Sequence, residues 1–443
     1  MKKNGNNTKI FFSIFLILNI ILIQKIKAEE NSNKELTDKT YALDKDKVTK
    51  EDQDRFGLIY RSVEKMRFGA YGESNIRYQE TPDGDEFGFD PHRIVLLGGY
   101  NITDSIIFNL EIEFEHGGVS TSSSDKMFQD GEIAVEQAYI DFLLNEYFNW
   151  RSLGIDVVPF GYINLFHEPT NYYSTNRPEL YRDLIPSTWF EGSSSIFGKI
   201  TDNLNYQFQI SVGLEDNADS QDSGMLAPGI DGNSGLRNAR PTVGDFQSSN
   251  NVPGFAFRLA YEPSFLPGLA GSSSAYFTET TPRAVSGFFV PGSTYLTMLD
   301  TEFRYRMPFI PFELRAEYVH IFLINNENLL ANNDGDPTNN TGNFMNGASG
   351  EIAYHFKLSK ISKLRWDLVP FYRFSYINLQ SSGYQGIDIN LPTGTGDRYI
   401  HTFGGALFIN PKVVLKLDYS IPTDDAPTGP DANRLQFGIG WFF

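Results

Sequence analysis

The chain of 443 residues contains no cysteine. That absence excludes disulfides, thiolate metal sites and lipid attachment through a cysteine, so an exported chain of this size holds together by pairing and packing alone. Beyond Ile23 it also lacks any apolar run of the length a membrane-crossing helix needs. Excess positive charge is missing as well: 37 Lys and Arg stand against 55 Asp and Glu, a formal charge of -18. A nucleic-acid partner is therefore not expected. The six histidines (His92, His116, His167, His320, His355, His401) are scattered, with no HExxH or other short ligand spacing, so no metal site, cofactor or enzymatic activity is expected.

What the chain has in quantity is aromatic residues, 37 Phe and 23 Tyr, with aromatics at 14% of the whole. A chain rich in aromatics and charge but free of apolar helices suits a membrane β-barrel, in which each strand needs only one apolar face. The first 28 residues read as an export signal: Lys2, Lys3 and Lys9 precede the apolar run 10–23, and the segment ends at Ala28. Its five lysines are unmatched by any acid, so its removal takes the charge from -18 to -23. Residues 29–64 are polar and mixed in charge, with hardly an aromatic, and read as a flexible periplasmic extension preceding a barrel over 65–443.

Alternation with period two is clean in 105–115, where Ile106, Phe108, Leu110, Ile112 and Phe114 share one parity and Glu111, Glu113 and Glu115 the other. It is equally clean in 204–212, and nearly so in 255–262, 300–306, 312–319, 351–358, 364–376 and 412–419. Weaker strands are read over 66–78, 91–101, 133–143, 151–162, 189–201, 271–280 and 398–409. With the closing strand the total is about sixteen, an even number, as expected when both ends lie in the periplasm. Short links at 101–104, 201–203, 307–309 and 410–411 alternate with long polar ones near 79–90, 117–132, 163–188, 214–252, 324–346, 379–397 and 422–432. Tight periplasmic turns and long outer loops produce that alternation, and a closed barrel leaves no strand edge unpaired in lipid. The predicted fold is an all-β, antiparallel transmembrane barrel.

The closing strand sets its apolar face by Leu435, Phe437, Ile439, Trp441 and Phe443. An apolar strand ending on aromatics fits a lipid-facing strand whose last rings sit in the interfacial girdle. It also resembles the C-terminal signature of bacterial outer-membrane proteins, a strand with a terminal Phe, which implies recognition by the barrel-assembly machinery.

The opposite parity carries the charges: Glu111, Glu113, Asp300, Glu302, Arg304, Arg306, Arg315, Arg365 and Arg373 among them. Charge at this density does not fill a dry core. These residues are expected to line a water-filled lumen, which a barrel of about sixteen strands is wide enough to hold. Acids and bases are mixed there, so selectivity for ion sign is mild unless one constriction dominates. The third long loop is the candidate constriction. From 165 to 189 it reads LFHEPTNYYSTNRPELYRDLIPSTW, and Leu180, Tyr181, Leu184 and Ile185 give it apolar surface to pack inside the wall. Tyr172, Tyr173, Arg177, Glu179, Arg182 and Asp183 would then narrow the pore; the alternative is a loop over the mouth, as a lid or subunit contact.

The run VPFGYINLFHEP followed by NRPELYRDLIPSTWFEG resembles the region of phosphate-selective porin O and P type proteins in which a strand with a Pro-Phe pair leads into an inward loop. PKVVLKLDY and LQFGIGWFF resemble that family's final hairpin. The resemblance implies a sixteen-stranded, trimeric porin with a loop folded into the channel. Members that select phosphate use a ladder of basic residues, whereas here inward Arg and Lys are matched by Glu and Asp, so phosphate preference is not carried over. The expected function is passive diffusion of small hydrophilic solutes or ions across the outer membrane. Its rival is a surface adhesin or receptor on the same barrel, binding through its long loops.

Overall fold

The structure is a computed structural model. It describes residues 61–63, 65–81, 84–118, 131–186, 188–218, 227–230, 232, 235–240, 252–280, 292–329, 331, 340–358, 366–381, 397–424 and 432–443. The expected export signal, nearly all of the expected extension, and Arg365 lie outside the described residues.

Sixteen long strands follow one another: β1 (Met66–Thr81), β2 (Gly84–Thr103), β3 (Ile106–Glu115), β4 (Ile133–Phe142), β5 (Asn149–Val157), β6 (Phe190–Thr201), β7 (Leu204–Val212), β8 (Pro253–Tyr261), β9 (Leu269–Thr280), β10 (Thr294–Arg306), β11 (Phe312–Ile324), β12 (Phe344–Tyr354), β13 (Asp367–Ser381), β14 (Asp397–Asn410), β15 (Val413–Asp424) and β16 (Arg434–Phe442). Each pairs antiparallel with the next, and β16 returns to β1, with Phe437 opposite Ile76 and Phe442 opposite Tyr71. Closure leaves both sides of every strand paired, the condition for placing β-structure in hydrocarbon. The apolar parity faces out: Leu299, Phe303, Tyr318, Leu435, Phe437 and Ile439 are all exposed, while Gln436, Gly438 and Gly440 between them are buried. A belt of this kind all round a barrel is its lipid-facing surface.

Two expectations need correction. Residues 79–90 do not form a long loop; they are the arms of a hairpin, paired from Asn75 with Asp90 up to Thr81 with Gly84. The reason is a bulge. Glu73 pairs with Arg93 and Asn75 with Asp90, so Pro91 and His92 together oppose Ser74. One extra residue inverts the parity. Phe87 and Phe89 are exposed before it, and Ile94 and Leu96 after it, so no single alternation covers the strand. Likewise 151–162 is not one strand: β5 stops at Val157, and the chain turns inward through Gly161, at φ 71°, into a helical turn at Tyr162–Leu165. A side chain at 161 would collide with the Tyr181 ring as well as suffer that backbone angle.

The inner wall is layered by polarity. Near the short-turn end of β10 and β11 the inward residues include Glu302, Glu313 and Glu317, whereas toward the long-loop end they are Leu296, Met298, Val319, Ile321 and Leu323, all nearly fully buried. Ile377 and Leu379 of β13 and Ile400 of β14 continue the apolar layer. An apolar inner wall must be covered, because each such side chain left in water forgoes about 1.5–3 kcal/mol.

Candidate functional site

The cover is the segment between β5 and β6, residues 158–189, here L3. Leu180, Tyr181, Leu184 and Ile185, on a π-helical turn at Leu180–Leu184 and just after it, join the apolar wall in one core with Ile230 and Leu236 of the following loop. Gly347 on β12 makes room for this approach: a Cβ there would press into Leu180 and Leu184. The closing strand gives way similarly, Gly438 lying against Thr175 and Gly440 against Pro169.

Polar contacts pin L3 from every side. Tyr172 donates to Glu73 of β1 at 2.7 Å, and the adjacent Tyr173 donates to Glu313 of β11 at 2.9 Å. Consecutive residues thus reach opposite walls, and the loop crosses the interior. The Thr175 backbone N–H donates to Asp418 of β15 at 2.5 Å, Lys416 donates to the Ser174 carbonyl at 2.9 Å, and Asn176 to Gln436 of β16 at 3.2 Å. Glu179 accepts from Arg373 Nε at 3.0 Å and Nη2 at 3.2 Å, and from Ser375 at 2.8 Å. Burial by itself pushes the Glu179 carboxyl up, but Arg373 outweighs it and the group is drawn down from 4.5 to about 2.

A second anchor lies where L3 meets β2, β3 and β4. Arg93 donates to Glu73 at 2.7 Å and to the His167 carbonyl at 2.6 Å. His167 Nε2 stands 3.8 Å from Glu111 and 3.6 Å from Glu136, all three buried. Burial disfavours the imidazolium, yet Glu111 and Glu136 prevail and raise it from 6.5 to about 10. Glu136 points inward because a bulge on β4 inserts it between Val135 and Gln137 in the pairing with β3.

Of the residues singled out from sequence, Arg177, Glu179 and Arg182 line one polar cleft between L3 and the wall, together with Arg373, Asp418, Arg434 and Gln436. Asp183 accepts from Arg182 Nε and Nη2, each at 2.7 Å. Tyr172 and Tyr173 are anchors buried away from that cleft. Glu111, Glu113, Asp300 and Glu302 face inward but are covered; Glu302 accepts from Ser272 at 2.6 Å and from the Tyr162 backbone N–H at 3.2 Å. Arg304 lies over the Tyr162 ring at 3.7 Å and Arg315 over that of Tyr173 at 4.3 Å, while Arg306 contacts His355 at 3.4 Å. Sequence reasoning missed Glu73, Arg93, Glu136 and His167. His320 and His401 sit among aromatic rings, bonded to Tyr318 at 3.0 Å and Tyr372 at 2.8 Å.

No family model matches the chain. An uncharacterized protein of Aquifex aeolicus (strain VF5) is 35% identical over 158 residues, which are 35% of this chain and 34% of that protein, so the chain spans about a third of the curated relative's length. Solved structures match over nearly their whole length. OmpF of Salmonella typhi, in complex with daunomycin, has a TM-score of 0.55 at 13% identity, covering 87% of this chain and 99% of its own. The outer membrane channel DcaP of Acinetobacter baumannii has 0.54 at 11%, covering 87% and 99%, and OprB of Pseudomonas putida 0.51 at 9%, covering 90% and 97%. At these identities the likeness is one of fold. With the lipid-facing belt, it makes this chain a multi-pass, sixteen-stranded antiparallel β-barrel of the outer membrane with the porin fold.

Proposed function

We propose that the barrel is a channel for passive diffusion of small hydrophilic solutes or ions, with L3 as its constriction. The observation that carries this reading is the cleft between L3 and β13–β16, lined by Arg177, Arg182, Arg373 and Arg434 against Glu179 and Asp418. A solute passing there meets fixed charge with little water to screen it. Acid and base meet there: Arg182 pairs with Asp183, and Arg373 with Glu179 and Glu351. The resemblance to O and P type porins supports the inward loop, while the mixed charge on the wall gives no ground for assigning phosphate in particular. A homotrimer and delivery by the barrel-assembly machinery belong to the same proposal. Single-channel recording of the refolded protein in a planar bilayer tests it. Discrete conductance steps, larger on deletion of 172–183, are expected; silence in both forms would overturn the reading.

One observation favours the rival. L3 contacts strands all round the wall, and the apolar layer beside it is closed over, which suits a barrel that presents loops and conducts nothing. Electrically silent protein that still binds host surfaces would support the adhesin reading.

A further inference from the structure

We propose that Asp90, His92 and His116 form a binding site for a divalent transition-metal ion, Zn²⁺ or a close relative such as Co²⁺, at the long-loop end of β2 and β3. The Asp90 carboxylate is buried and meets one imidazole at each oxygen: His92 Nδ1 stands 3.1 Å from Oδ2, and His116 Nδ1 2.7 Å from Oδ1. The two rings have centroids 5.5 Å apart and planes at 70°. Each residue offers a ligand atom within 4.8 Å of the others. In a tetrahedral site with bonds of about 2.0–2.1 Å, donor atoms stand about 3.3 Å apart. The two nitrogen–oxygen contacts, 3.1 and 2.7 Å, approach that length but go to different oxygens of the carboxylate. One imidazole must therefore swing toward the oxygen that the other meets, and the His92 side chain, 31% exposed, has room to rotate.

Chemistry selects the ion. Two imidazoles and one carboxylate suit zinc, cobalt or nickel, whereas calcium and magnesium take oxygen donors. The half-exposed side of His92 leaves a path for the ion and for a water ligand.

Two backbone features converge on this point, independently of the side-chain distances. The β2 bulge sets Pro91 and His92 together opposite Ser74, directly after Asp90 in the ladder. His116, the first residue past β3, has φ 46° and is followed by Gly117 at φ 79°. A left-handed histidine is uncommon, and here the conformation turns the imidazole back to Asp90. Hydrogen bonding alone would ask of these positions only a donor, which Ser or Asn supplies.

The test uses the refolded, chelator-stripped full chain, titrated with Co²⁺ and followed by visible absorption, then with Zn²⁺ as competitor. One equivalent of tightly bound Co²⁺, displaced by Zn²⁺, is expected. His92→Gln and His116→Asn should each weaken binding about tenfold or more; Asn tolerates the left-handed backbone at 116, which protects the fold. His320→Gln and His401→Gln, on the outer face, should bind like the unaltered protein. X-ray absorption of the zinc-loaded unaltered chain gives a reading that needs no variant, with scattering from two imidazoles expected. The proposal is overturned by the absence of stoichiometric binding, by binding unchanged in both site variants, or by zinc scattering without imidazole.

Discussion

Arg373 of β13 grips Glu179 of L3 through two parallel contacts, Nε at 3.0 Å and Nη2 at 3.2 Å. Both residues are buried, and the same guanidinium also reaches Ser174 at 2.8 Å and Glu351 at 3.1 Å. A fork geometry of this kind fixes direction as well as distance, so Arg373 holds both the middle of the loop and the start of its helical turn. Removing one partner of a buried pair costs about 3–5 kcal/mol, because the other charge is stranded.

Arg373→Gln should therefore release L3 without unfolding the barrel. Limited proteolysis of the folded protein is expected to cut within 165–189, and channel recordings should become noisy. The double variant Arg373→Gln with Glu179→Gln, which strands neither member of the clamp and leaves Glu351 to Arg315 at 3.6 Å, should recover much of the protection. A single variant as resistant as the unaltered chain would show that the apolar contacts of Leu180 and Leu184 hold the loop unaided.

Acid should weaken the same clamp. The Glu179 carboxyl is lowered from 4.5 to about 2 in the folded protein. The stability it contributes is thus complete above pH 4.5 and is lost as pH falls through about 2. Protease protection of L3, measured with an acid-active protease, should decline across that window in the unaltered chain. In Glu179→Gln the decline should be shallower, since this group no longer titrates. Identical acid profiles for the two proteins would remove Glu179 from the account.

The wall beneath the helical turn offers a steric test. Gly347 has no room for a Cβ against Leu180 and Leu184, whereas Gly350, three residues along on the opposite, exposed face, has nothing within 4 Å. Gly347→Ala should cost about 1–3 kcal/mol by overpacking and push L3 off the wall, and Gly350→Ala should be close to neutral. Thermal unfolding by heat-modifiable migration compares them, and equal midpoints would contradict the packing described.

Much of the fold is legible in the sequence because lipid and lumen impose opposite demands on alternate residues. Leu435, Phe437 and Ile439 against Gln436, Gly438 and Gly440 can be read without coordinates, and so can the composition that sets L3 apart. What cannot be read is whatever breaks the period. The bulge at 91–92 hid Arg93, and the bulge at Glu136 hid the partner of His167. Near the long-loop end of β10 and β11 both faces are apolar, Tyr295 and Leu299 outside and Leu296 and Met298 inside, so alternation gave no signal there. The inward charges were visible, but not that L3 covers Glu111 and Asp300, since that depends on where a distant segment lands.

Phe437 tests the lipid-facing assignment. It is 44% exposed on the outer face of β16, where an arginine near mid-membrane costs about 2–4 kcal/mol. Phe437→Arg should reduce the amount of barrel recovered from the outer membrane severalfold, and deletion of Phe443 should impair assembly similarly. Normal levels of the Phe437→Arg protein would mean that the closing strand does not face lipid.

The cleft beside L3 sets the ion preference if solutes pass there. Arg182 shares its charge with Asp183 through two contacts of 2.7 Å, so it acts more weakly than its formal charge. A fixed charge in a narrow, poorly hydrated passage acts on a passing ion almost unscreened, whereas a charge on an exposed hairpin is damped within about 8 Å at physiological salt. Arg177→Glu should move the reversal potential in a salt gradient toward cations, and adding Arg182→Glu should move it further. Glu86→Lys, on the exposed arm of the β1–β2 hairpin, changes a charge of the same size yet should leave the reversal potential nearly where it was. Equal shifts at the cleft and at the hairpin would place the ion path elsewhere.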